Sequence, residues 1–288
     1  MNFTKAIKMQ VIDIKKTDLD LKQFVKRSAL QSDFQRLITE DTLVSENNVP
    51  KILYKKIDGD LTNDVRQAVM TLKYEKGTRT TGLTTESRIF GYSPRNTIRK
   101  DYCSSTSLAY QYPEHNKIIC EFGEYLANLY KKYFPEVYNI HNDIVKTKIL
   151  ESWRIGQSPF TSGIVNKNNP LKYHFDAGNI KNVLSNMVVF KNDVEGGFLS
   201  CPEYNIGFEV ADNTVILFDG QKILHGVTPI KKTSDQAYRY SIVYYTLQQM
   251  WNCLPLTDEI LRAQQVRTKR ENKRASGQVN KNDLQFDK

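Results

Sequence analysis

Apolar and polar positions change their period three times along the chain, and each change marks a part of the molecule. From residue 1 to about 75, short apolar runs mix with polar residues. Met9 to Ile14 alternates as a strand does, whereas Leu19 to Phe34 and Asp64 to Leu72 read as helices. Between about 76 and 150 the strongest signal is an amphipathic helix from Lys117 to Tyr133. Its Ile118, Phe122, Tyr125, Leu126 and Leu129 recur at three- and four-residue spacing, and Pro135 is expected to end it. From about 150 to 252 the pattern reads as β. Ser185–Phe190, Gly197–Ser200, Ile206–Val210, Thr214–Phe218 and Tyr238–Thr246 are short Val/Ile/Phe/Tyr-rich runs. Turn pairs such as Asn192-Asp193, Gly196-Gly197, Asp212-Asn213 and Asp219-Gly220 separate them. Many short strands with regular turns predict a sandwich or barrel. The tail beyond about Thr257 predicts a basic helix, and its end, ASGQVNKNDLQFDK, reads as disordered.

Composition narrows the class. The 288 residues are 40% hydrophobic and 25% charged, ordinary values for a globular chain that builds a sizeable core. A formal net charge of +9 favours polyanionic partners, nucleic acid first, although a solubilising surface explains the same number. The start carries no signal-peptide run and no stretch has 18 or more apolar residues, so an intracellular protein, cytoplasmic or nuclear, with no membrane span is expected. Cys103, Cys120, Cys201 and Cys253 form no C-x-x-C pair and are expected to be free, buried thiols. Nothing in the pattern sets an oligomeric state.

The candidate chemistry starts at His174-Phe175-Asp176. In extended chain, residues two apart project to one face, so His174 and Asp176 can reach one metal. A bare H-x-D is weak evidence, and a hydrogen-bonded loop histidine is the plainer reading of His174 alone. The arrangement adds weight. His225 follows after the Asp-Gly turn, and two histidines with one carboxylate form a facial triad that leaves iron positions open. Beyond it, YRYSIVYYT places Arg239, Ser241, Val243 and Tyr245 on one strand face and Tyr240, Ile242 and Tyr244 on the other. A guanidinium on a core-facing strand needs an anion, either an internal acid or a bound carboxylate. In the loop GTRTTGLTTESRIFGYSPRNTIRK, Arg79, Arg88, Arg95 and Arg99 interleave with Phe90 and Tyr92. That pattern suits phosphate contacts as well as plain surface charge.

These residues carry a resemblance. The run YHFDAGN … SNMVVFKNDVEGGFLSCPEYNIGFEVADNTVILFDGQKILHGVTPI … RYSIVYY resembles the Fe(II)/2-oxoglutarate-dependent dioxygenases, over roughly residues 150 to 250. Within them it is most similar to the nucleobase-oxidising TET/JBP branch. The resemblance implies an α+β fold with a double-stranded β-helix (jelly-roll, cupin-like) core and supporting N-terminal helices. With the pattern along the chain, this divides it into a helical or mixed arm over 1–75, a dioxygenase domain over 76–256 with its core at about 150–250, and a basic, partly disordered tail over 257–288. Fe(II) would sit on His174, Asp176 and His225. The co-substrate 2-oxoglutarate would be held by Arg239 and Ser241, with Arg154 as a further candidate, and O2 would complete the reactants. Asn179, three residues after Asp176, and Tyr245, six after Arg239, match the family's base-contacting positions, and Arg88 and Arg95 are candidates for the DNA backbone. The chain departs from the pattern at Leu247, where TET-like enzymes acting on 5-methylcytosine carry histidine. The implied activity is hydroxylation of a methyl group, on thymine or 5-methylcytosine, in DNA whose base is flipped out or single-stranded. The same chemistry on RNA, a protein side chain or a small molecule is the alternative, and a non-catalytic nucleic-acid-binding β-barrel is a second.

Overall fold

The computed structural model describes residues 9–78, 84–94 and 101–278. Its strands, in chain order, are β1 Gln10–Asp13, β2 Arg36–Ile38, β3 Thr42–Glu46, β4 Val49–Lys56, β5 Glu75–Thr78, β6 Thr84–Ser93, β7 Ser104–Ser105, β8 Ser162–Lys167 and β9 Leu171–His174, then β10 Ser185–Asn192, β11 Val194–Gly196, β12 Leu199–Cys201, β13 Ile206–Phe208, β14 Thr214–Phe218, β15 His225–Val227, β16 Ile230–Lys232 and β17 Tyr238–Tyr245. The helices are α1 Asn63–Thr71, α2 Ser107–Gln111, α3 Pro113–Tyr133, α4 Pro135–Lys148 and α5 Leu256–Ala275.

The strands form two main sheets. The larger runs β1-β3-β4-β14-β10-β17-β8-β6-β5, with β7 paired to β6; the smaller runs β2-β13-β12-β15-β9. A separate ribbon pairs β11 with β16. Period-two alternation splits the larger sheet between two cores. Leu53, Val188, Phe190, Val215, Leu217, Ile242 and Tyr244 face the helices. Ile52, Tyr54, Met187, Val189, Ile216 and Phe218 face the smaller sheet, where they meet Leu199, Ile206, Phe208 and Val227.

Helix α3 lies on the first of these faces. It starts on Pro113, whose fixed φ and missing N–H suit a first helical position, while Glu114 in the first turn and Lys131 and Lys132 in the last suit the helix dipole. Ile119, Phe122, Leu126 and Tyr130 are its buried stripe, so the buried face is rotated by about one residue from the stripe expected. Two hydrogen bonds fasten it to the sheet: the Tyr244 hydroxyl donates to the Ile119 carbonyl at 2.7 Å, and the Asn186 amide to the Leu126 carbonyl at 3.0 Å.

Four expectations change. Pro135 does follow the end of α3, but it occupies the first turn of α4, where its fixed φ and missing N–H are tolerated. Leu19–Phe34 holds only two single turns, Leu21–Gln23 and Gln31–Asp33. Tertiary contacts override helix propensity there: the Lys26 N–H donates to the Tyr173 carbonyl, the Tyr173 N–H donates to the Arg27 carbonyl, and Ala29 and Phe34 are buried. The first 75 residues are therefore not a separate arm, since β1, β3 and β4 extend the larger sheet and β2 completes the smaller. Cys103 and Cys253 are joined by a disulfide, while Cys120 and Cys201 are free. A separation of 150 residues forms no motif, yet the fold brings the two Cα atoms to 5.7 Å, within disulfide range. Basic α5 forms as expected, and of the tail end only residues 275–278 fall among those described. No helix of the described residues is long and apolar enough to cross a membrane.

One buried group gives this fold a pH signature. His141 on α4 is fully buried beside Phe160, Tyr130 and Thr246, and burial pushes its imidazole down to about 3 from the ordinary 6.5. Between those values the unfolded chain takes up a proton that the native chain refuses. Stability should therefore fall as pH drops below 6.5, by at most about 1.4 kcal/mol per pH unit from this residue. Urea unfolding at pH 7, 6, 5 and 4 should show His141→Gln losing less stability with acidification than the parent. Parallel pH profiles would contradict this account.

Candidate metal and co-substrate site

Five of the residues singled out from sequence, His174, Asp176, Asn179, His225 and Tyr245, line one cavity. His174 ends β9, His225 begins β15, and the two residues are register partners in the antiparallel pairing of those strands. Asp176 stands two residues past His174, and its N–H donates to the Gly220 carbonyl at 2.8 Å. The Nε2 atoms of His174 and His225 lie 3.6 and 3.7 Å from Oδ1 of Asp176. One ligand atom from each of the three residues falls within 4.8 Å of the others.

Hydrogen bonding fixes what these rings offer. Nδ1 of His174 is 2.8 Å from the Lys172 carbonyl, and Nδ1 of His225 is 2.9 Å from the Ile223 carbonyl. A carbonyl only accepts, so each ring carries its proton on Nδ1 and turns the Nε2 lone pair toward Asp176. Burial and the neighbouring His174 push the His225 imidazole down to about 4, which keeps it neutral and able to donate a lone pair. Phe218 packs edge-on against the His225 ring. Two imidazole nitrogens and one carboxylate make the donor set of a non-haem Fe(II) site with open positions, and the residues fit that metal.

A cavity of about 230 Å³ opens onto this cluster. Leu199, Phe218, Val227, Met187 and Val243 give it apolar walls, and Asn166, Asn179, Ser185 and Tyr245 supply polar groups. Arg239 shares a strand face with Val243 and Tyr245. It is 1% exposed, and its Nε and Nη2 have no hydrogen-bond partner. Burial pulls its pKa down to about 10, so it remains a cation at neutral pH. Lys191, its register partner on β10, is itself lowered by burial, with Arg239 among the lesser causes. A buried guanidinium with unmade hydrogen bonds and a second cation beside it is costly unless an anion enters. The far carboxylate of 2-oxoglutarate meets both the charge and the fork geometry. Ser241 lies between Arg239 and Val243 on the same face, 3.5 Å from the Asn166 amide nitrogen. Gly197 makes room here, because a Cβ on it would meet Cδ and Nε of Arg239 at 3.0 Å.

Asn179 and Tyr245 line the cavity, and so does Leu247, bridged to Asn179 across the backbone. Three other candidates lie elsewhere. Arg88 faces the helix side of β6, is 4% exposed, and pairs with Glu75, Gln111 and the Lys73 carbonyl, which corrects its assignment to DNA contact. Arg154 turns away from the cavity to the carbonyls of Lys146 and Ile149, where it satisfies the open end of α4; it is not a co-substrate ligand. Arg95, with Arg79 and Arg99, lies outside the described residues. Sequence reading missed Asn166, Lys191 and Gly220. Alternation along β8 and β10 carries the signal for the first two, and Gly220 follows from the Asp-Gly turn ahead of His225.

Three comparisons bear on this site. The Tet_JBP family, described as the oxygenase domain of the 2OGFeDO superfamily, matches residues 88–248. Thymine dioxygenase JBP1 of Trypanosoma brucei brucei is 26% identical over 167 residues, which is 57% of this chain and 19% of that protein. The bifunctional helicase and thymine dioxygenase JBP2 of Trypanosoma brucei brucei (strain 927/4 GUTat10.1) is 25% identical over 227 residues, 75% of this chain and 20% of that protein. The chain thus spans about a fifth of the length of these curated relatives. A solved structure of NgTET1 in complex with 5mC DNA superposes with a TM-score of 0.60 at 15% identity, over 86% of this chain and 85% of that one. That likeness is one of fold.

The site has a sharp steric test. A Cβ on Gly220 would stand 2.2 Å from Oδ2 of Asp176 and 3.3 Å from the His225 ring. Gly220→Ala should displace the carboxylate and weaken Co(II) or Fe(II) binding at least about tenfold, since metal sites tolerate little displacement of their ligands. Anaerobic titration checks it, and parental affinity in the variant would show that Asp176 is not a ligand.

Proposed function

The chain belongs to the Tet_JBP family, the oxygenase domain of the 2OGFeDO superfamily, and from that premise we propose that it hydroxylates the 5-methyl group of thymine in DNA. Fe(II), 2-oxoglutarate and O2 would be its reactants. The observation that carries the reading is that two histidine lone pairs turn on Asp176 at a cavity walled by Val243 and Tyr245, while Arg239, on the same strand face as those two, is a buried cation with two unpartnered nitrogens. We read the two facing sheets as a double-stranded β-helix, with the metal ligands at its open end.

Iron(II) with 2-oxoglutarate and O2 supplies the power to hydroxylate an unactivated C–H bond while the co-substrate becomes succinate and CO2. The chain's own residues hold and exclude. His174, Asp176 and His225 would carry the metal. Arg239, helped by Ser241, would fix the far carboxylate of 2-oxoglutarate and so orient its keto-acid end. Met187, Leu199, Val227 and Val243 keep the cavity walls dry. A methyl group inside a duplex cannot reach a cavity of this kind, so the base must be extruded or single-stranded. Asn179 would meet the polar edge of that base and Tyr245 its face.

Thymine is favoured over 5-methylcytosine by two observations. The curated relatives that resemble the chain carry thymine dioxygenase in their names, and Leu247 presents an apolar side chain where the cavity meets Asn179. The fold likeness to a protein bound to 5mC DNA keeps 5-methylcytosine as the second reading. A non-catalytic nucleic-acid-binding barrel has no use for an unpaired cation behind a histidine pair.

The test is direct. Protein reconstituted anaerobically with Fe(II) receives 2-oxoglutarate, O2 and DNA containing both bases, and the digested nucleosides go to mass spectrometry. One added oxygen on thymidine, absent with His174→Ala, is expected. Added oxygen on 5-methyldeoxycytidine alone would select the second reading. Succinate without an oxidised nucleoside would discard the DNA substrate. Arg239→Met should raise the KM for 2-oxoglutarate about 10- to 100-fold, the equivalent of about 1.5–3 kcal/mol for a charge-assisted hydrogen bond. An unchanged KM would remove Arg239 from the co-substrate.

A further inference from the structure

The two histidines are held from behind in the same way. His174 Nδ1 donates to the carbonyl of Lys172, and His225 Nδ1 donates to the carbonyl of Ile223. In each case the acceptor lies two residues back. Each of those carbonyls belongs to a planar peptide unit whose opposite end is an N–H, on Tyr173 and on Leu224. Both N–H groups are anchored. The Tyr173 N–H donates to the Arg27 carbonyl at 2.9 Å. The Leu224 N–H donates to Oε1 of Glu203 at 2.8 Å.

Glu203 is an unusual anchor. It is 2% exposed, and its other oxygen pairs with Lys16 Nζ at 2.7 Å. Its backbone carbonyl accepts from both the N–H and the hydroxyl of Thr17, at 2.7 and 3.0 Å. The anchor of Tyr173 is reinforced likewise: the Arg27 guanidinium pairs with Asp33 at 2.7 Å, and Asp33 also accepts from the Tyr173 hydroxyl at 2.9 Å. Residues 16–33, which carry no metal ligand, thus brace the peptide unit behind each metal-facing imidazole.

We propose that Glu203, ion-paired to Lys16, is a positioning residue for His225. It acts through the Ile223–Leu224 peptide, and the Arg27 carbonyl does the same for His174. A carboxylate directly behind a metal-bound histidine fixes its tautomer and ring angle and raises its basicity. Here a peptide unit stands between carboxylate and ring. The negative charge on the N–H side polarises the amide, so its carbonyl becomes a stronger acceptor for Nδ1–H. The two links act in series: Lys16 holds Glu203, Glu203 holds the peptide plane, and the plane holds the ring whose Nε2 faces Asp176.

This rests on the metal reading above, and the experiment separates the two. Apo protein is titrated anaerobically with Co(II), followed by its visible d–d bands, for the parent, Glu203→Leu, Glu203→Gln and, as a control, Glu259→Gln. Glu259 is another buried acid that caps backbone N–H groups, of Cys103 and Leu254, away from the cavity. Glu203→Leu should weaken Co(II) binding about 10- to 100-fold, the range usual for lost outer-sphere partners. Glu203→Gln keeps an acceptor oxygen without the charge and should return to within about threefold of the parent. In the Zn(II)-loaded protein the Nδ1–H proton resonance of His225 should move in Glu203→Gln, with that of His174 unchanged. The control should leave both affinity and resonances in place. Parental Co(II) affinity in a folded Glu203→Leu overturns the proposal. Should that variant fail to fold, an unmoved His225 resonance in the isosteric Glu203→Gln overturns it instead. A parent that binds no Co(II) overturns the metal reading and this relay with it.

Discussion

Strand β17 has to satisfy two environments at once, and the remainder of the molecule is arranged around that requirement. Tyr240, Ile242 and Tyr244 point into the core beneath the helices. Arg239, Ser241, Val243 and Tyr245 point between the sheets. A slip of one residue would place a guanidinium among the helix side chains and three large apolar groups in the cavity, so the register is held on both sides. Seven register pairs tie β17 to β10 and six tie it to β8, and the Tyr244 hydroxyl locks the strand to α3. The cavity inherits its polarity pattern from this one strand and its two neighbours.

Arg239 shows how stability and function diverge. Among the described residues it combines near-complete burial with two guanidinium nitrogens that lack partners. Arg88 is buried nearly as deeply, but Glu75 and Gln111 meet its charge. The first arrangement is costly without an anion; the second is complete as it stands. Lys191 beside Arg239 makes the contrast stronger, because a second cation adds repulsion that a structural ion pair would avoid.

The same contrast measures what the sequence disclosed. Runs rich in Val, Ile, Phe and Tyr located β10, β14 and β17 closely, because those strands are largely buried on both faces, and the 3.6-residue period found α3, which buries one face. The triad is only partly legible in spacing: His174 and Asp176, two apart, can share one face of extended chain, but H-x-D is weak by itself, and His225 joins them through the arrangement of the later turn and strand and through the family resemblance. Arginines are a different matter. Sequence records the charge of Arg88, Arg154 and Arg239 alike, whereas partner and direction decide their roles: Arg154 turns back to the Lys146 and Ile149 carbonyls, Arg88 meets Glu75 and Gln111, and Arg239 keeps two nitrogens without a partner. Leu19–Phe34 fails for a related reason: its conformation comes from hydrogen bonds to Tyr173, some 150 residues away, which no local period encodes. The disulfide between Cys103 and Cys253 has the same long-range origin.

The two sides of the cavity draw on largely different supports. The histidines lean on residues 16–33 and on Glu203. The wall that carries Leu247 leans on the other end of the chain. Thr246 hydrogen-bonds His141 of α4, Met250 packs beside Trp153 and Ile180, and Cys253 is tied to Cys103 just ahead of α5. Glu259 of α5 caps the N–H groups of Cys103 and Leu254, closing that brace. Changes at sites that share no partner tend to add rather than couple. The two sides nevertheless meet: Leu247 bridges Asn179 across the backbone, the Gln248 N–H donates to the Gly178 carbonyl, and Gln221, in the turn ahead of His225, donates to the Asn179 carbonyl. Residues 178–180, close behind Asp176, therefore transmit a displacement of that wall toward the triad, so changes at Leu247 and behind His225 should couple rather than simply add.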